Sequence, residues 1–128
     1  MTEANQKKKV LIVEDDISLI KAVSAFLNSN GFEVIEAANG AEGLIKAMTA
    51  KPDIILLDIL MPKMDGVEML EQLRKKDWGR NMKVVTFSNL GEDSSETEKT
   101  SKYSTLGHLV KSEHNLSEIL ERLREYTK

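Results

Sequence analysis

Val10-Leu11-Ile12-Val13 runs directly into Glu14-Asp15-Asp16, and the same grammar recurs twice further along the chain. Ile54-Ile55-Leu56-Leu57 ends on Asp58, and Val84-Val85-Thr86-Phe87 ends on Ser88-Asn89. Short unbroken apolar runs, rich in β-branched residues and closed by turn formers, are the pattern of strands covered on both faces, as in a parallel sheet. Glu33 to Ala37 and His108 to Val110 are two weaker strand candidates.

Between the runs the apolar period changes to that of helices. From Ile17, apolar residues recur at Ile20, Val23 and Phe26-Leu27 until Asn30-Gly31 supplies a stop. Asn39 can cap a helix carrying Ala41, Leu44, Ala47 and Met48, which must end before Pro52. Asp65 with Glu68, and Asn115 with Glu118, each have the spacing of a capping box ahead of an apolar stripe. Between Glu92 and Thr105 the pattern weakens: seven residues are Ser or Thr and Tyr103 is the single large apolar side chain, so a short, mobile helix is expected there. The order is βα five times, which predicts an α/β fold: a doubly wound (βα)5 architecture with a five-stranded parallel sheet and right-handed crossovers. Residues 1–8 read as a flexible N-terminal segment and 9–128 as a single domain.

Composition narrows the function. The 128 residues suit one domain, with 41% hydrophobic and 30% charged residues and a net charge of −3. The absence of cysteine excludes disulfides, thiol catalysis and Cys-ligated zinc, and two histidines make a histidine-rich metal centre a poor fit. No apolar run is long enough for a signal peptide or a membrane span, so a cytoplasmic protein without membrane contact is expected. The charge balance gives no reason to expect nucleic-acid binding.

In open α/β sheets ligands bind beyond the carboxyl ends of the strands. Glu14, Asp15, Asp16, Asp58, Ser88 and Lys111 all fall there. Carboxylates crowded into one pocket repel, by about 4 kcal/mol for a pair about 4 Å apart at an effective dielectric near 20. A hard divalent cation relieves that repulsion, and all-oxygen ligation completed by water suits Mg2+. A cation site with a lysine and a hydroxyl beside it is built to receive a phosphoryl group, and Asp58 is the candidate nucleophile for an acyl phosphate. There is no glycine-rich phosphate loop, so a nucleotide donor bound within this domain is not expected.

The segments VLIVEDD, LLDILMPKMDG, VVTFSN and HLVKS, taken in order, resemble the receiver domain of two-component response regulators, with its flavodoxin-like architecture. The intervals from Asp15 to Asp58 and on to Ser88 agree with that family, and the interval to Lys111 is about one residue longer than usual. The resemblance implies that Asp58 accepts phosphate from a histidine kinase or phosphotransfer protein. It implies that Asp15, Asp58 and the backbone carbonyl of Leu60 ligate Mg2+, with Glu14 acting through water. Ser88 becomes the switch hydroxyl and Lys111 the partner of the phosphoryl group. His108 occupies the family's aromatic switch position, and with Asn89 and Tyr103 it belongs to the switch and output region. Pro62 and Gly66 match the loop after the phosphoacceptor. The implied protein is a stand-alone receiver, a monomer or a phosphorylation-dependent dimer, whose output is the binding of a downstream protein rather than catalysis beyond its own phosphotransfer and slow dephosphorylation.

Several positions depart from the family. Ser112 stands where a proline, often after a cis bond, is common; a cis bond before serine costs about 3 kcal/mol, so a trans bond or local strain is expected. Asn89 follows the switch hydroxyl where a smaller residue is usual, which predicts crowding of the phosphoryl site. Leu60 and Leu90 sit at positions that influence hydrolysis in the family; neither can orient water, so a long-lived phosphoryl group is expected. Asp16 and Asp65 read as helix caps rather than ligands. Trp78 reads as packing at a helix rim, Met61, Met64 and Met69 as adaptable packing, Thr86 as buried within its strand, and His114 as a loop residue without chemistry. Two rival functions are an unphosphorylated receiver acting as an adaptor and a small Mg2+-dependent phosphohydrolase. The second lacks an acidic residue at Ile59-Leu60-Met61, just after the nucleophile, to serve as general acid.

Overall fold

The computed structural model describes residues 7–61, 64–91 and 94–128. Five strands and five helices alternate: β1 (Lys8–Val13), α1 (Ile17–Ser29), β2 (Phe32–Ala37), α2 (Gly40–Ala50), β3 (Ile54–Leu57), α3 (Gly66–Lys75), β4 (Val84–Ser88), α4 (Ser95–Ser101), β5 (Gly107–Val110) and α5 (Leu116–Tyr126). All strand pairings are parallel, in the order β2-β1-β3-β4-β5. The expected architecture is the one found. Pro62 lies outside the described residues, as do residues 1–6 of the N-terminal segment, whereas Lys8 opens β1.

The apolar runs become strands because both of their faces are covered. Val10 and Ile12 enter one core with Ile20, Val23 and Leu27 of α1 and Ile119, Leu120 and Leu123 of α5. Leu11 and Val13 enter the other with Ala47 of α2 and Met69, Leu70 and Leu73 of α3. All four residues of β3 are buried. Burying a side chain of this size is worth about 1.5–3 kcal/mol relative to leaving it exposed, so these central runs dominate the choice of fold. Trp78 packs against the second core, Met61 and Met69 are buried within it, and Thr86 is buried in β4.

The caps act as their side chains demand. Asp16, Asn39, Asp65, Ser94 and Asn115 each accept an N–H from the first turn of their helices. The reciprocal capping box forms at Asn115 and Glu118, while at Asp65 the structure shows the aspartate's half of it. α4 has seven residues, and the side chains it buries are Thr97 and Thr100. A cavity of about 290 Å³ remains beside it, lined by Thr86, Thr97, Thr100, Gly107 and His108 among others.

Candidate functional site

Strand register assembles the site. Val13 pairs with Leu57, so Glu14 and Asp58 emerge side by side, and the Asp58 N–H donates to the Val13 carbonyl at 2.9 Å. Leu57 pairs with Thr86 and Ser88 with Val110, which brings Ser88 and Lys111 to the same edge; the Lys111 N–H donates to the Ser88 carbonyl at 2.8 Å. Gly66 lets α3 start against this edge, because a Cβ there would strike the Asp58 carbonyl oxygen. The resulting cleft, about 330 Å³, is lined by Glu14, Asp15, Asp16, Asp58, Leu60, Ser88, Asn89, Leu90 and Lys111. His108 and Tyr103 lie elsewhere. Tyr103 packs against the second core, and His108 is half-buried on β5.

Within the cleft, carboxylate oxygens of Glu14, Asp15 and Asp58 lie within 4.8 Å of one another. Glu14 and Asp58 are buried and Asp15 is exposed. Lys111 Nζ stands 2.7 Å from Glu14 Oε1 and 3.3 Å from Asp58 Oδ2. The Glu14 contact is a close ion pair that holds the buried Glu14 Oε1 against the ammonium. Burial first, then the charge of Glu14, push the Asp58 carboxyl up to about 7, against the opposing influence of Lys111 and of the Leu60 N–H, which donates to Asp58 Oδ1 at 3.3 Å. Burial alone lowers the Lys111 ammonium, but the hydrogen bonds and charges of Glu14 and Asp58 outweigh it and hold the group above its ordinary value. One ammonium thus contacts two members of a cluster of three carboxyl groups. The clustered carboxylates offer hard oxygen donors that fit a magnesium ion.

The carboxyl end of β4 and the strand β5 are joined by hydrogen bonds that strand periodicity does not reveal. The Leu90 N–H donates to Ser88 Oγ at 3.1 Å, and the Leu90 carbonyl lies 2.6 Å from His108 Nε2. A carbonyl only accepts, so Nε2 carries a proton and donates. Thr86 Oγ1 lies 2.7 Å from His108 Nδ1 and donates to the Gly107 carbonyl at 3.3 Å. Asn89 lines the cleft and also reaches the β5–α5 connection, where its Oδ1 accepts the Ser112 N–H at 3.0 Å. The Lys111–Ser112 peptide bond is trans. Sequence reasoning missed this tie, although an asparagine beside Ser88 and an N–H-bearing residue in place of proline were its signal.

The comparisons with known proteins decide the family. A model described as the response regulator receiver domain matches residues 10–124. The chain belongs to that family. Among curated relatives of this receiver, chemotaxis protein CheY of Treponema pallidum is 40% identical over 88 residues, covering 66% of this chain and 60% of the relative. Sporulation initiation phosphotransferase F of Bacillus subtilis is 29% identical over 119 residues, covering 93% of each. The receiver covers 29% of the alkaline phosphatase synthesis transcriptional regulatory protein PhoP of B. subtilis, at 45% identity over 69 residues, and 35% of the probable transcriptional regulator ycf27 of Porphyra purpurea. It thus spans about a third of the length of several curated relatives. Among solved structures, Vibrio cholerae CheY4 superposes with a TM-score of 0.86 at 30% identity, covering 94% of this chain and 99% of that one. CheY in the CheX–CheY–BeF3–Mg complex from Borrelia burgdorferi superposes with a TM-score of 0.81 at 30% identity, covering 92% and 87%. No helix among the described residues is long and apolar enough to cross a membrane.

Proposed function

We propose that this receiver takes a phosphoryl group on Asp58 from a phosphohistidine of a kinase or phosphotransfer protein. An Asp58 carboxylate oxygen attacks phosphorus, the P–N bond breaks, and the imidazole leaves as an acyl phosphate forms. Lys111, already paired with Asp58, neutralises a phosphoryl oxygen, and the Ser88 hydroxyl donates a hydrogen bond to another. Magnesium fits Asp15, Asp58 and the Leu60 carbonyl, with Glu14 contributing through water, and when bound it offsets negative charge on the phosphoryl oxygens. The observation that carries the reading is the cluster of three carboxyl groups with Lys111 reaching two of them.

Leu60 and Leu90 line the cleft and offer no side-chain group to orient water, so the acyl phosphate is long-lived. Pulling Ser88 and Lys111 toward the phosphoryl group biases the region around α4 and β5, including His108, toward binding a downstream protein. The complex in which the Borrelia CheY is seen with CheX supports a protein partner of this kind. The proposed setting is cytoplasmic.

Incubation with acetyl phosphate and Mg2+ followed by intact-mass measurement tests this. One phosphate is expected, lost in Asp58→Asn and slow to hydrolyse. Polar residues at both 60 and 90 should shorten its lifetime by at least about tenfold, still below the ~10²-fold of a true general base. No uptake would favour the adaptor, and multiple turnover of phosphoesters the hydrolase.

A further inference from the structure

We propose that Asn89 is a positioning residue that sets the Lys111 ammonium by holding the Lys111–Ser112 peptide, an inference that rests on the phosphoacceptor reading. Val110, Lys111, Ser112 and Glu113 form the turn leaving β5, closed by the Glu113 N–H donating to the Val110 carbonyl at 3.0 Å. In a turn closed this way the N–H of the third residue has no partner inside the turn. That residue is Ser112, and Asn89 Oδ1 takes its N–H at 3.0 Å. Proline at this position would have no N–H to give.

The neighbouring residue completes the argument. The Lys111 N–H donates to the Ser88 carbonyl at 2.8 Å, so residues 88 and 89 hold the N–H groups of both peptide planes that flank the Lys111 Cα. With both planes held, only the side-chain torsions of Lys111 remain to carry Nζ between Glu14 and Asp58. The same two residues include the switch hydroxyl, so a movement of Ser88 is passed to Lys111 through backbone as well as through the cleft. Asn89 and Ser112 are both exposed, and water competes for their hydrogen bond. Losing it therefore loosens the lysine without unfolding the chain.

In the full chain, Asn89→Ala is expected to speed exchange of the Ser112 amide with water, read by NMR, while the thermal midpoint stays in place. It should slow modification of Asp58 by acetyl phosphate by about three- to tenfold, the range of one modest hydrogen bond. Asn89→Asp keeps the Oδ acceptor and should restore the slow amide exchange. In a Lys111→Met background, where there is no ammonium to position, Asn89→Ala should leave the residual rate unchanged. Equal rates in Asn89→Ala and its parent overturn the proposal, as does an undiminished loss in the Lys111→Met background. A Ser112 amide that exchanges freely in the parent removes the tie itself. A parent that takes no phosphate at all is a different result: it overturns the phosphoacceptor reading, and the positioning role with it.

Discussion

Burial and the Glu14 carboxylate raise the Asp58 carboxyl to about 7, whereas an aspartate in an unfolded chain titrates near 4. The folded state therefore holds this proton more tightly than the unfolded one. The stability linked to it is fully present below about pH 4 and is lost as the pH rises through about 7. Asparagine at 58 keeps the shape and removes the charge. In EDTA at pH 8, Asp58→Asn should be more stable than the parent by about 2–4 kcal/mol, and the gap should narrow at pH 5. Urea unfolding of both proteins at the two pH values measures this; equal pH slopes would sink the argument. Magnesium acts on the same imbalance, so its addition should raise the parent's unfolding midpoint more at pH 8 than at pH 5.

Among the elements, α4 is the one whose seat is poorest in apolar contact. Its seven residues bury two threonines, and Thr100 Oγ1 turns back to the Thr97 carbonyl at 2.7 Å instead of reaching into the core. The cap holds more firmly: Ser94 Oγ accepts the Thr97 N–H at 3.0 Å and lies 2.7 Å from Thr97 Oγ1. Amides 98–101 are therefore expected to exchange faster than those of α1 and α5, and Ser94→Ala, which costs about 1 kcal/mol at the cap, should accelerate them further. Hydrogen exchange by NMR decides it; protection across 98–101 equal to that of α5 would contradict the prediction. This weakness was legible in the sequence, because a helix without an apolar stripe shows as composition. The strands were legible for the converse reason, since Ile54 to Leu57 and Val10 to Val13 allow no exposed face. The acidic, hydroxyl and lysine residues followed from them, because a parallel sheet brings strand ends together. What escaped were bonds that end on backbone: Asn89 on the Ser112 N–H, and His108 on the Leu90 carbonyl. A sequence displays side chains and hides which peptide groups are left without partners.

Across the whole molecule, the two ends of the sheet do different work. At the carboxyl ends, like charges are packed together and the Asp58 charge opposes stability. At the amino ends, Arg74 uses its guanidinium for cohesion alone: it donates to the carbonyls of Tyr103 at 2.7 Å, Gly79 at 2.8 Å, Met82 at 2.9 Å and Ser104 at 3.2 Å. Those carbonyls lie in the connections leading into β4 and β5, so one side chain of α3 fixes where both strands begin. Burial lowers the Arg74 pKa, yet arginine stays charged at any working pH, and a charged donor to a carbonyl is worth more than a neutral one. Arg74→Ala leaves four acceptors partly exposed to water, so the net loss is expected to be about 2–3 kcal/mol rather than the sum of four bonds. Phosphate uptake at Asp58 should survive below the new unfolding transition, because none of the residues that Arg74 hydrogen-bonds lines the cleft. Asp58→Asn should do the reverse, gaining stability and losing uptake. Urea unfolding and acetyl phosphate labelling of the two variants side by side test the division. If Arg74→Ala abolished labelling while still folded, the two ends of the sheet would have to be coupled through the strands, and stability and chemistry could not be assigned to separate edges.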